Sequence, residues 1–207
     1  MRVFRRHPAV DVESVRPQQA AVAMQRELAM RFESDGRVAI EDVLAGDLAS
    51  AIAAALPSLH LSRSAPDPRG LGGDDPGHMF YEACARSHRG CRRLCAPVCA
   101  LVASLEAGPL LDFLRAVIGR PDMSVHSVSV RAYVKGSHVS CGAGAEAVWY
   151  GTPRGNPHDG GLVRFGAGDE WPPSFGTMHV VGGERRAVTL VGQHRTLYAV
   201  RALLGTR

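Results

Sequence analysis

The sequence predicts an α+β fold in which helices come first and strands afterwards. Before residue 121, apolar residues recur at helical spacing in Ala- and Leu-rich runs. After Pro121 they gather in short β-branched and aromatic runs separated by Gly and Pro. The third observation is size: 207 residues, 45% of them hydrophobic, can bury a core and most economically form one domain with a helical appendage. Helices followed by a series of strands imply a layered arrangement whose strands make a sandwich or open barrel.

Each element follows in order. Arg16 to Arg31 is rich in helix formers, with Pro17 suited to a first-turn position. Ser34-Asp35-Gly36 breaks that helix, Val38-Ala39-Ile40 reads as a short strand, and Ala45 to Leu56 resumes as a helix stopped by Pro57. Ser62 to Gly77 is crowded with Pro, Gly and Asp, the composition of a loop that could cover a site. Ser87 to Ala107 and Gly108 to Gly119 are expected helices, the second with an apolar face and a glycine stop. Val125, Val128, Val130, Tyr133 and Val134 then open the β half. It continues through Ala147–Tyr150, Leu162–Phe165, Met178–Val181, Ala187–Val191 and Thr196–Val200.

Charge and composition narrow the function. The formal net charge is +4 with a pI near 9.0, yet Lys135 is the only lysine and the arginines are scattered. That pattern reads as base composition and does not build a nucleic-acid groove. No apolar run reaches the roughly 18–20 residues of a membrane span, and the start of the chain lacks a secretory signal, so a cytoplasmic protein is expected. Cys91, Cys95 and Cys99 share one helical face, near Cys84 and His88, but one face cannot wrap a tetrahedral ion, so they read as small buried hydrophobes.

Histidines carry the more pointed signal. His126, His138, His158, His179 and His194 all fall in the β half. Asn156-Pro157-His158-Asp159-Gly160-Gly161 sets an imidazole and a carboxylate before a strand. These are ligand types of a non-haem Fe(II) facial site, which needs two imidazoles and one carboxylate. Adjacent ligands suit a turn, since neighbours in a strand point to opposite faces. No Gly-x-Ser-x-Gly elbow is present, and Gly70-Leu71-Gly72-Gly73 lacks the following Lys-Ser/Thr of a phosphate loop.

Taken in order, several segments resemble the prolyl-hydroxylase-like branch of the 2-oxoglutarate/Fe(II)-dependent oxygenases. Phe32 to Leu44 resembles the family's first strand, and Gly108–Gly119 the helix before its barrel. Arg131-Ala132-Tyr133-Val134-Lys135-Gly136 resembles its Arg-x-Tyr-x-x-Gly strand, and Val148-Trp149-Tyr150 the next one. Gly160-Gly161-Leu162-Val163-Arg164-Phe165 is similar to its Gly-Gly-x-Leu strand, and Trp171 to Met178 to its proline turn and following strand. The resemblance covers about residues 32 to 207. It implies a double-stranded β-helix, a jelly-roll or cupin-like barrel with N-terminal helices packed outside. Residues 1–31 would then be an N-terminal extension with a helix and 32–207 the oxygenase-like domain.

One departure bears on chemistry. The resemblance implies His-x-Asp, two iron ligands, nine positions after Tyr133, where Gly142-Ala143-Gly144 stands instead. It implies further that His194 completes a metal triad and that Arg207, or Arg201 as the competing candidate, pairs with the 2-oxoglutarate carboxylate, a role suited to the guanidinium fork. The expected function is therefore a diverged oxygenase-fold protein for a small organic molecule without canonical iron chemistry. It would be a pseudoenzyme, a partner subunit in a homo- or heterodimer with an oxygenase homologue, or a metal-independent cyclase or isomerase using His138, His158 and Asp159 as acid–base groups. The alternative is an active hydroxylase or oxidase that uses 2-oxoglutarate and holds Fe(II) with a replacement set, His138 or His158 joining Asp159 and His194. A third reading is an interaction module whose arginines dock an acidic partner.

Overall fold

The computed structural model describes residues 14–59, 61–63, 81–84, 96–135, 137, 139–141, 145–152, 161–165, 168–183, 186–188 and 196–206. The chain opens with α1 (Gln19–Ala23) and α2 (Gln25–Asp35), so the expected helix is present but interrupted at Met24. Gly36 ends α2 in the left-handed region at φ 67, where a Cβ would be strained. β1 (Arg37–Ile40) and α3 (Gly46–Ala55) follow. α3 stops ahead of Pro57, as expected, with Leu56 as its cap, and Pro57 sits early in a 3-10 turn, Leu56–Ser58, where its missing N–H costs no helical bond.

Two short strands come next, β2 (Ser62–Arg63) and β3 (Tyr81–Cys84). Neither is legible in the sequence, because Ser-Arg and Tyr-Glu-Ala-Cys form no apolar β-branched run. α4 (Ala96–Ala107) and α5 (Pro109–Ile118) meet at Gly108, where a Cβ would lie 2.8 Å from the Ser104 Cα. Ser104 ties this corner together: its hydroxyl donates to the Val15 carbonyl and accepts from the Leu110 amide. Gly119 closes α5 at φ 74, the expected glycine stop.

The β half contains β4 (Met123–Tyr133), β5 (Val139–Cys141), β6 (Ala145–Tyr150), β7 (Val163–Phe165), β8 (Asp169–Trp171), β9 (Met178–Gly182), β10 (Arg186–Val188) and β11 (Leu197–Thr206). All pairings are antiparallel. The larger sheet runs β1-β9-β6-β11-β4-β3-β2 and the smaller β5-β10-β7-β8. Consecutive strands alternate between sheets over much of this half, which winds the chain into a barrel instead of a meander.

Alternation along the strands separates two cores. On the outer face of the larger sheet, Val128, Val130, Ala147, Trp149, Met178, Val180, Val200 and Ala202 pack with the helices through Leu28, Ile52, Leu101 and Leu114. On the inner face, Tyr133, Val148, Tyr150, Val181, Leu197 and Ala199 meet Val163 and Phe165 of the smaller sheet. The helices thus cover one face of the barrel from outside, as expected. The position anticipated for a domain boundary, between residues 31 and 32, falls within α2, and Val15, Ala21 and Leu28 are buried in the helix-side core. No single helix among the described residues is long and apolar enough to cross a membrane.

Candidate functional site

The inner face of the larger sheet is not uniformly apolar. Because side chains alternate, Ser129 and Arg131 on β4 share the face of Tyr133, Glu146 on β6 that of Val148 and Tyr150, His179 on β9 that of Val181, and Arg201 on β11 that of Ala199. Register brings them into rows across the strands. Ser129, Arg201, Val148 and His179 stand side by side, and Arg131, Ala199 and Tyr150 form the next row. Glu146 lies one step along β6, opposite Leu203, which puts it diagonal to Arg201.

Electrostatics dictate how these groups are held. The Arg201 Nε donates to Glu146 Oε2, and the two form an ion pair in which the carboxylate side chain is only 2% exposed. Arg131 is buried as well, and β3 places Glu82 opposite it in register. Burying charged side chains is expensive unless they are paired or used, so a band of this kind in a barrel interior is a site candidate and not ordinary core.

His179 completes the band. It sits edge-on to Tyr150 at 4.8 Å between ring centroids and to Trp171 at 5.1 Å, with Phe165 at 6.5 Å. Burial pushes its pKa down from 6.5 to about 4, so the imidazole is neutral near pH 7, and Nδ1 has no hydrogen-bond partner among the described residues. The smaller sheet closes over this ring through a T-shaped Phe165–Trp171 pair. Arg37 of β1 reaches across the seam, its guanidinium 5.0 Å from the Phe165 centroid and 5.6 Å from that of Trp171, while it pairs with Asp169.

This architecture has solved counterparts. A prolyl hydroxylase from Trichoplax adhaerens, in complex with a hypoxia inducible factor oxygen degradation domain peptide fragment, superposes with a TM-score of 0.65 at 13% identity, over 91% of each chain. A prolyl-4-hydroxylase from Pseudomonas putida gives 0.63 at 18% identity, over 89% of this chain and 100% of that one. The non-heme alpha ketoglutarate dependent epimerase SnoN from nogalamycin biosynthesis gives 0.66 at 10%, over 89% and 84%. The fold is the double-stranded β-helix of the 2-oxoglutarate/Fe(II) oxygenases. No protein-family model and no curated protein matches the sequence.

Within the oxygenase fold the residues singled out from the sequence fare unequally. Arg201 is placed, on the inner face of β11, with Glu146 as its partner. His138, His158, Asp159, His194 and Arg207 lie outside the described residues. Gly142-Ala143-Gly144 lies outside the described residues too, though by chemistry glycine and alanine offer no side-chain donor to a metal. Among the described residues no three His, Cys, Asp or Glu side chains converge as a metal site. The barrel meanwhile brings in residues that the sequence reading did not assign to a site: Glu146, His179, Arg131 and Tyr150. The signal for Glu146 was available, a carboxylate in the otherwise apolar strand Ala145–Tyr150; His179 stood among the five histidines of the β half, but nothing in the sequence set it apart from the other four.

Proposed function

We propose that this chain is a diverged oxygenase-fold protein that binds, or acts on, a small organic molecule in the barrel interior without the family's usual iron. The observation that carries this reading is the polar band of buried Arg131, Glu146 and His179 with half-buried Arg201, lying where a sandwich built only for stability would be apolar. Guanidinium groups there suit a carboxylate or another planar anion, which they can engage through parallel N–H donors. The neutral imidazole of His179 offers a hydrogen bond without adding charge, and Tyr150, Phe165 and Trp171 supply flat apolar walls.

The residues present do not fit a conventional iron centre, since both positions implied for its first two ligands lie within a Gly-Ala-Gly stretch, so no step is derived through a metal. A pseudoenzyme, a partner subunit or a metal-independent cyclase or isomerase fits this set; in the last case His138, His158 and Asp159 are the acid–base groups to test, in a cytoplasmic protein. The second reading, a hydroxylase or oxidase with His158, Asp159 and His194 as replacement ligands, draws support from the SnoN likeness, because that protein is described as alpha ketoglutarate dependent.

Anaerobic titration of the full chain with Fe(II) and 2-oxoglutarate, followed by calorimetry and visible absorption, separates the two. The expected result is no iron binding and no metal-to-ligand absorption band, with 2-oxoglutarate or succinate still bound in the presence of chelator and weakened by Arg201→Gln. Stoichiometric iron binding that His194→Ala abolishes would overturn the metal-free reading in favour of the second.

A further inference from the structure

A second site lies outside the barrel, on the helix side of the larger sheet, and does not depend on the reading above. A cleft of about 450 Å³ opens where the C-terminal ends of α2 and α5 meet the ends of β4, β6, β9 and β11. That volume falls within the range of small-molecule sites. Small residues line much of it: Ala29, Gly119, Ala145, Gly182 and Gly205. Two of these positions are fixed by packing. A Cβ on Gly182 would come within 2.8 Å of the Phe32 ring and 3.0 Å of the Gly36 carbonyl, and one on Gly205 within 2.0 Å of the His126 Nε2. His126 is itself the extra residue of a β-bulge, since Leu203 pairs with Ser127 and Leu204 with Val125. Bulges re-aim a side chain, and this one lays an imidazole across the glycine that lines the cleft.

The lining is amphipathic in a specific way. Phe32, Val117, Ile118 and Met123 form an apolar surface, while Glu33 comes from α2 and Arg120 from just beyond the α5 cap. Both charged residues are exposed, and neither makes an ion pair among the described residues. A carboxylate and a guanidinium flanking an apolar surface match one kind of molecule, an apolar body that carries an ammonium and a carboxylate together.

We propose that this cleft binds a free apolar α-amino acid, its ammonium toward Glu33, its carboxylate toward Arg120, and its side chain against Phe32, Val117 and Met123. A ligand of that size binds at roughly millimolar strength. The test is amide chemical-shift titration of the labelled full chain with L-phenylalanine, 2-phenylethylamine and 3-phenylpropionate, each of which keeps the ring but only the first of which keeps both charges. Shifts are expected at Ala29, Val117 and Gly205. Glu33→Gln should weaken L-phenylalanine and the amine about three- to fivefold and leave the acid alone; Arg120→Gln should weaken L-phenylalanine and the acid and leave the amine alone. Both substitutions are on exposed side chains, so an unchanged spectrum elsewhere verifies the fold. Absence of shifts around the cleft, or shifts that neither charge substitution weakens, would overturn the proposal. Because the cleft and the barrel band share no residue, failure here leaves the barrel reading standing, and the reverse.

Discussion

His179 shows how much a single side chain can depend on its surroundings. In the sequence it is one histidine of nine; in the barrel it is 2% exposed, walled by three aromatic rings, and its pKa falls from 6.5 to about 4. The unfolded chain therefore takes up a proton near pH 6.5 while the folded chain does so only near pH 4. Above pH 6.5 both forms are neutral and the protein has its full stability. As pH falls through that window, protonation favours the unfolded chain, and His179 alone removes about 3 kcal/mol by pH 4. Urea unfolding of the native protein and of His179→Phe at intervals from pH 8 to pH 4 checks this; the variant should lack that part of the slope. The buried Glu146 carboxylate is held differently, through its ion pair with Arg201. Such a pair is costly to bury and contributes little net stability, which is a reason to look for its use in binding.

Among the elements, the seam between the two sheets rests on contacts distant in sequence. β1 is an edge strand of the larger sheet, and its first residue, Arg37, stacks over Phe165 of β7 and Trp171 of β8 while pairing with Asp169. Asp169 is largely exposed, so the ion pair adds little, and the stacking on two rings supplies most of the interaction. Arg37→Ala is expected to lower unfolding free energy by about 1–2 kcal/mol, with Arg37→Lys recovering only part of it, measured by thermal or denaturant unfolding. The elements themselves were unevenly legible. α3, α5, β1, β6, β7 and β9 follow from apolar runs and glycine stops, whereas β2, β3, β5 and β8 (SR, YEAC, VSC, DEW) contain no apolar run to mark them. β4 nearly matches its expected run from Val125 to Val134, whereas β11 extends well beyond Thr196–Val200, to ten residues, because it is paired along both edges over part of its length and gains ladder bonds that local propensity does not foresee.

For the molecule as a whole, the helices ahead of residue 32 belong to the core that covers the barrel. Val15 and Leu28 are 0% and 3% exposed, α2 packs against α5 and β1, and the Ser104 hydroxyl is bonded to the Val15 carbonyl. Removing residues 1–31 would strip these side chains from the helix-side core and uncover the faces of α5 and β1 that they protect. A chain of residues 32–207 is therefore expected to be insoluble or to lose cooperative unfolding, while the full chain melts in one transition; circular dichroism during heating distinguishes the two.

Local order was the part determined by the chain of residues alone: helices before Pro121 and strands after it, glycine stops at Gly36 and Gly119, and a succession of short motifs sufficient to anticipate a double-stranded β-helix with helices outside. Those features depend on neighbours a few positions apart, which periodicity and propensity register directly. The site did not follow in the same way. Arg131, Glu146, His179 and Arg201 come from four strands, and they meet only because antiparallel register sets β4, β11, β6 and β9 side by side with the same face turned inward. Which face of a strand looks into the barrel, and which residue lies across from it, is a property of pairing between distant segments, and only the folded chain decides it.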